Sequence, residues 1–150
     1  MNVAPFDLEV ADDQFLLLAD NLPTLCWMAD KTGWIFWYNK RWYEYTGTTL
    51  EGMRGWGWQS VHDPDVLPRV LKEWRGCIAR VKPFEMVFPL LSAGGKFEPF
   101  LTRVTPVMDL YGSLKFWFGT NTNVSELMRE GEVLREINEG LRAELEGSRT

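Results

Sequence analysis

Two blocks of strand-forming sequence, residues 25–38 and 84–122, stand on either side of a segment whose apolar residues recur at helical spacing. This order limits the fold more than any other feature. In the first block, Leu25–Ala29 and residues 34–38 are apolar and aromatic runs joined by Asp30-Lys31-Thr32-Gly33, a strand, tight turn, strand pattern. The second block divides into residues 84–92, 96–106 and 114–122, separated by Ala93-Gly94-Gly95 and by a turn over residues 109–112. Five strands in two groups with helices between them predict an α+β domain, an antiparallel sheet with helices on one face.

Between the blocks, Leu67, Val70, Leu71, Trp74, Cys77, Ile78 and Val81 fall on one side of a helix, and Arg69, Lys72, Glu73, Arg75 and Arg80 on the other. Asp65 is the expected N-cap and Pro68 lies in the first turn, where the missing N–H has no intrahelical partner to lose. Residues 39–61 are dense in glycine and aromatics, which predicts short helical turns over a core. Ahead of the first strand, Phe15, Leu16, Leu17, Leu18 and Leu22 form an apolar cluster suited to a short cap helix over residues 12–22.

After Asn123 the composition turns to Glu, Leu and Arg. Leu127, Leu134 and Leu141 are seven apart, with Ile137 and Leu145 on the same side, so the tail reads as a helix that leaves the domain and pairs in a parallel two-helix coil. Gly131 and Gly140 each weaken it by about 1 kcal/mol relative to alanine. The chain thus divides into a cap segment 1–22, a domain 23–123 and a helical linker 124–150.

A net charge of −5 with scattered lysines and arginines offers no basic stripe for nucleic acid. No stretch approaches the roughly 20 apolar residues of a membrane span, and the acidic N-terminus lacks a signal-peptide layout. Cytoplasmic location without membrane insertion is the expectation. Cys26 and Cys77 have neither paired spacing nor a zinc pattern, and read as buried apolar side chains.

The run WYEYTGTTLEGMRGWGWQSVHDPD resembles the W-x-E-Y-T-G…G-x-G-W…V-H-P-D-D signature of PAS domains, in the fold-3-like subfamily common in bacterial sensor histidine kinases. PFEMVFPLLSAGGKFEPFLTRVTPVMDLYGSLKFWFGTNTNV is similar to the second half of that signature, and together they span about residues 22–125. The resemblance implies a five-stranded antiparallel sheet with helices closing a small cavity on one face, a homodimer, and a sensory state passed along the C-terminal helix to an effector, a histidine kinase above all. Asn123-Val124-Ser125 stands where the family usually has Asp-Ile-Thr, the junction between last strand and outgoing helix. Glu98-Pro99 replaces Arg-Trp, and Val87, Pro89 and Leu91 replace residues that are usually charged.

Trp27, Phe36, Tyr38, Tyr43, Tyr45, Trp58, Trp74, Phe88, Phe116 and Phe118 are the candidates for lining the cavity, with Tyr hydroxyls and Trp N–H groups as its polar points. A core filled by these rings, with no ligand, is the competing reading. His62, the only histidine, reads as structural rather than as a haem ligand or the base of a triad. The segment Gly52-Met53-Arg54-Gly55-Trp56-Gly57 lacks both the reactive cysteine of a light-sensing flavin site and the Lys-Ser/Thr of a phosphate loop. No haem, flavin or metal is therefore expected, and no catalytic residue. Glu44, Glu85 and Glu98 read as surface or locally paired carboxylates. The rival to a sensory module is a stand-alone small-molecule carrier or small enzyme using the aromatic cavity.

Both faces of the strand from Phe84 are apolar, Val87, Pro89 and Leu91 opposing Phe88 and Leu90. The outer face of the sheet is thus expected to be covered by the cap helix or by a second chain, with Phe15, Leu17, Leu18, Val87, Pro89 and Leu91, and Leu127, Leu134, Ile137 and Leu141 of the tail, as interface residues.

Overall fold

Alternation of apolar and polar residues, read strand by strand, is what gives the sheet two usable faces. The computed structural model of the chain describes residues 8–148; residues 1–7 of the cap segment and 149–150 of the tail lie outside the described residues. The elements in order are α1 (Leu8–Asp20), β1 (Leu25–Ala29), β2 (Ile35–Tyr38), α2 (Lys40–Thr46), α3 (Leu50–Met53), a 3₁₀ turn (Gly57–Val61), α4 (Leu67–Arg80), β3 (Phe84–Leu91), β4 (Phe97–Met108), β5 (Leu114–Asn123) and α5 (Ser125–Ser148). The five strands form one antiparallel sheet in the order β2-β1-β5-β4-β3. The α+β expectation holds, with cap helix and outgoing helix both present.

The last strand lies in the centre, pairing with β1 on one side and β4 on the other, so the outgoing helix starts from the middle of the sheet. Pro89 sits on the edge strand β3, where a missing ladder donor costs least. On the inner face Trp117, Phe100, Leu90 and Val104 are fully enclosed beneath α2, α3, the 3₁₀ turn and α4. From α4 come Val70, Trp74 and Cys77, spaced four and three apart, each buried. Full burial of such a side chain is worth roughly 1.5–3 kcal/mol, which is what holds α4 on the sheet.

Asn39 ties three elements together although it is polar and wholly buried. Its Oδ1 accepts from the backbone N–H of Trp42, capping α2, and of Cys26 on β1, while its Nδ2 donates to the carbonyls of Ala19 and Thr24. α1 is thereby fixed against the outer face. Phe15 packs on Trp37 and Phe118 at 6.2 and 6.1 Å, and Ala19 is buried. Leu17 and Leu18 point away, 67% and 69% exposed, and at the other side of the sheet Val87 stays 46% exposed, so the cap helix covers the β1–β2–β5 part of the face and not β3.

Two local expectations are corrected. α4 has no side-chain cap: Val66 holds the N-cap position, and the Asp63 carboxylate accepts from the Asp65 N–H in a turn just before it. Asp65 is one residue too early, because the one-residue shift in His62-Asp63-Pro64-Asp65 moves the turn-forming aspartate to 63. Val81 lies outside the helix as its left-handed C-cap, with φ of 52°, a conformation that a β-branched residue rarely takes.

Candidate functional site

A cavity of about 40 Å³ lies between the inner face of the sheet, α4 and the 3₁₀ turn. Four of the ten expected aromatics line it: Trp27, Trp58, Trp74 and Phe88. Three others lie on the helix side but not at its wall. Tyr38 is buried and donates its hydroxyl to the Met53 carbonyl at 2.9 Å, Tyr43 packs edge-on against Tyr38, and Tyr45 reaches towards the end of the sheet. Phe36, Phe116 and Phe118 are corrections. Trp117 faces inward and is fully buried, so its neighbours Phe116 and Phe118 face outward, and Phe36 is 42% exposed.

The wall also holds Ile35, Trp42, His62, Val70, Phe84, Thr102, Val104 and Asn121, which the sequence reading did not select. Thr102 and Asn121 sit at inward positions of polar-looking strands, and alternation from Trp117 would have pointed to Asn121. Trp27 Nε1–H donates to Asn121 Oδ1 at 2.9 Å, and Asn121 Nδ2–H donates to the Thr102 hydroxyl at 2.6 Å. Trp27 can lie this deep because β5 has glycine at 119: a methyl group there would come 2.3 Å from the indole ring.

His62 is packed between Trp58 and Phe88, with ring centroids 5.0 and 4.8 Å away, and burial pushes its pKa down to about 4. It is neutral at physiological pH. Trp42 Nε1, Trp58 Nε1 and His62 Nδ1 are buried without a hydrogen-bond partner among the described residues. No residue that lines the cavity is an acid, a lysine or an arginine. Among the described residues there is no group of three or more side chains able to hold a metal ion. Burial pushes the Cys26 thiol up to about 12, with the Asp20 charge adding to it, and raises that of Cys77.

A second cluster joins the sheet to α5. The Tyr45 hydroxyl lies 3.1 Å from the Leu90 carbonyl and 3.1 Å from Glu98 Oε1, and its ring meets Phe100 edge-on at 4.9 Å. Glu98 Oε2 accepts from the Ser125 hydroxyl at 3.3 Å. Asn123 Oδ1 accepts from the Ser125 N–H at 2.9 Å and lies 2.6 Å from its hydroxyl, whose one proton is shared between Asn123 and Glu98, and the Val124 N–H donates to the Pro99 carbonyl. The three junction residues expected at the strand end are therefore all engaged at the start of α5. Partial burial raises the pKa of Glu98, but hydrogen bonds from Asn123, Tyr45 and Ser125, with Lys96 nearby, outweigh it and hold the carboxyl below its ordinary 4.5. Leu90 is also the backbone bridge partner of His62, so it stands between the cavity wall and the junction.

The remaining expected interface residues lie apart from both clusters. Pro89 and Leu91 are half-buried on β3, and on α5 Leu127, Leu134, Ile137 and Leu141 are 66%, 65%, 54% and 53% exposed. Glu44 and Glu85 make local surface ion pairs with Lys40 and Arg103, of the kind worth little to stability.

Among curated proteins, the chain is 28% identical over 136 residues to the uncharacterised protein y4lL of Sinorhizobium fredii and 26% identical over 111 residues to the peroxide stress-activated histidine kinase mak1 of Schizosaccharomyces pombe. These matches take in 91% and 73% of this chain but only 16% and 7% of the relatives' length. Among solved structures, a PAS domain of a Colwellia psychrerythraea protein superposes with a TM-score of 0.63 at 16% identity, covering 77% of this chain and 98% of that one. An RNA-binding light-oxygen-voltage receptor reaches 0.69 at 13% identity, over 96% of this chain and 41% of that one. No helix among the described residues is long and apolar enough to cross a membrane. The profile of the PAS fold family matches residues 19–129, three-quarters of the sequence and the whole of the sheet with α2, α3 and α4, and the chain belongs to that family.

Proposed function

We propose that this PAS sensory domain works as the input and dimerisation module of a larger signalling protein, a histidine kinase, whose effector follows α5. The observation that carries this reading is the polar path from the cavity wall to the exit helix, His62–Leu90–Tyr45–Glu98–Ser125. A change in the cavity that moves Leu90 alters the acceptor of the Tyr45 hydroxyl. That hydroxyl has one proton and two acceptors at equal distance, so strengthening one bond weakens the other. Glu98 carries the difference to the first turn of α5.

The mak1 relative is a histidine kinase by its name, which supports the choice of effector. α5 supports the dimer: its apolar residues are exposed along 24 residues, and a helix with two interior glycines needs a partner to be stable. A second copy pairing in parallel gives it one, with Leu127, Leu134, Ile137 and Leu141 at the seam. The reading places no chemistry in this chain. His62 has no carboxylate at the cavity to orient it, and both thiols are held protonated by burial. It also assigns no haem or flavin, since a cavity of about 40 Å³ has no space for a porphyrin or three fused rings. Two free, buried cysteines suit a reducing, cytoplasmic setting.

The test replaces the sensor segment of a histidine kinase by this chain, joined through α5. Asn123→Ala should change autophosphorylation several-fold while shifting the melting temperature of the isolated chain little. Unchanged kinase output would overturn the signalling role.

A further inference from the structure

The cavity is the sensing site in the reading above, and its unpaired groups restrict what it takes. Trp42 Nε1, Trp58 Nε1 and His62 Nδ1 are the buried side-chain polar atoms without a partner among the described residues, and all three residues line this one cavity. Buried polar groups are normally paired, so three orphans around one space point to a missing partner. The two indole nitrogens can only donate. The Thr102 hydroxyl, which accepts from Asn121, donates to nothing among the described residues. A neutral His62 Nδ1 takes either role according to its tautomer, which leaves three fixed donors at the wall and no fixed acceptor.

Charge and size narrow the partner further. With no charged residue at the wall, an ionised ligand would lose its hydration without a counter-ion. One water needs roughly 10–15 Å³ of such a cavity, and an apolar cavity of about 150 Å³ is what holds benzene. A cavity of about 40 Å³ therefore takes a body of about three or four non-hydrogen atoms and excludes a six-membered ring. An alcohol would bring a further donor, whereas a carbonyl oxygen offers two lone pairs and no proton.

We infer that the cavity binds an uncharged short-chain carbonyl compound, its oxygen accepting from Trp42 and Trp58 Nε1–H and its carbon body lying against Trp27, Trp74 and Phe88. The affinity ceiling per atom puts Kd for four atoms no tighter than roughly 40 μM.

Acetone, acetate and isobutene share one four-atom skeleton and differ only in charge and acceptor, so they separate the terms. The full chain, labelled with ¹⁵N, is titrated with each while the indole N–H resonances are followed, those of Trp42 and Trp58 being assigned by Trp→Phe substitution. Acetone should move both resonances saturably, with acetate and isobutene at least tenfold weaker. Trp58→Phe should weaken acetone about fivefold and leave isobutene unchanged; the series on the unsubstituted chain stands even if that variant does not fold. Unmoved indole resonances, equal binding of acetate or isobutene, or exchange peaks showing tightly held water that acetone does not displace would each overturn the inference. Its failure is separable from that of the signalling reading: Asn123→Ala would still change kinase output if only the ligand class were wrong, and acetone would still bind if only the coupling were.

Discussion

The Tyr45 hydroxyl stands equidistant, at 3.1 Å, from the Leu90 carbonyl on the edge strand and the Glu98 carboxylate beside the exit helix. Because Glu98 is held below its ordinary pKa by the groups that donate to it, the carboxylate form persists through mildly acidic conditions. A carboxylate with a lowered pKa contributes fully above the unfolded value and is lost as pH falls through the folded one. Amide exchange in the first turn of α5 should thus be constant from pH 8 to 5 after correction for intrinsic rates. Glu98→Gln, which keeps the shape but weakens the charge-assisted bonds, should speed it several-fold. Equal exchange in the two proteins would remove Glu98 from the junction.

Gly119→Ala tests how Trp27 is seated. The added methyl would come 2.3 Å from the indole, so the ring must move and its bond to Asn121 must stretch or break. Overpacking of this kind costs typically 1–3 kcal/mol. A drop in stability of that size by urea unfolding, with a changed near-ultraviolet Trp signal, is expected; wild-type stability would mean that Trp27 does not lie across Gly119.

His62 sets an acid dependence of stability. Its folded pKa of about 4 lies below the ordinary 6.5, so the unfolded chain binds the extra proton first. Stability is full above pH 6.5 and falls as pH drops towards 4, by roughly 2–3 kcal/mol between pH 7 and 4.5 at 1.36 kcal/mol per unit. His62→Gln should remove that part of the loss, leaving a flatter pH profile in urea melts. A His62→Gln profile parallel to the wild type would place the imidazole in water.

For α5, Leu134→Glu and Leu141→Glu put charges in the proposed seam. Sedimentation should show a dimer for the wild-type chain and a monomer for each variant, with little change in the melting of the domain. A dimer that survives both substitutions would have to use another surface, of which the exposed apolar side of β3 around Val87 is the first to examine.

Much of this architecture was legible in the residues, for physical reasons that also mark where the reading stopped. The strands and α4 were visible because their periods differ and because Gly and Asp punctuate the turns. The start of α5 was visible because Asn123 has the side chain needed to accept from a free helical N–H. Facing was not legible in β2 and β5, where Phe36-Trp37-Tyr38 and Phe116-Trp117-Phe118 are aromatic at successive positions, so hydrophobicity alone cannot choose a face. Trp42 and His62 carry no local sign of a cavity role, because Trp42 sits in the short helix α2 and His62 just after the 3₁₀ turn, and the placement of both segments depends on tertiary packing. Glu98 looked like an isolated carboxylate; its partners Tyr45 and Ser125 are 53 and 27 residues away, a separation that no local pattern reveals.

The central claim is that the cavity and the exit helix are coupled through Tyr45, and a double-mutant cycle read by amide exchange in the first turn of α5 tests it most directly. Gly119→Ala perturbs the cavity, and Tyr45→Phe removes the hydroxyl that links Leu90 to Glu98. Gly119→Ala should change exchange at residues 125–128 at least threefold in the wild-type background and leave it unchanged in the Tyr45→Phe background. The same change in both backgrounds, or no change in either, would contradict the account.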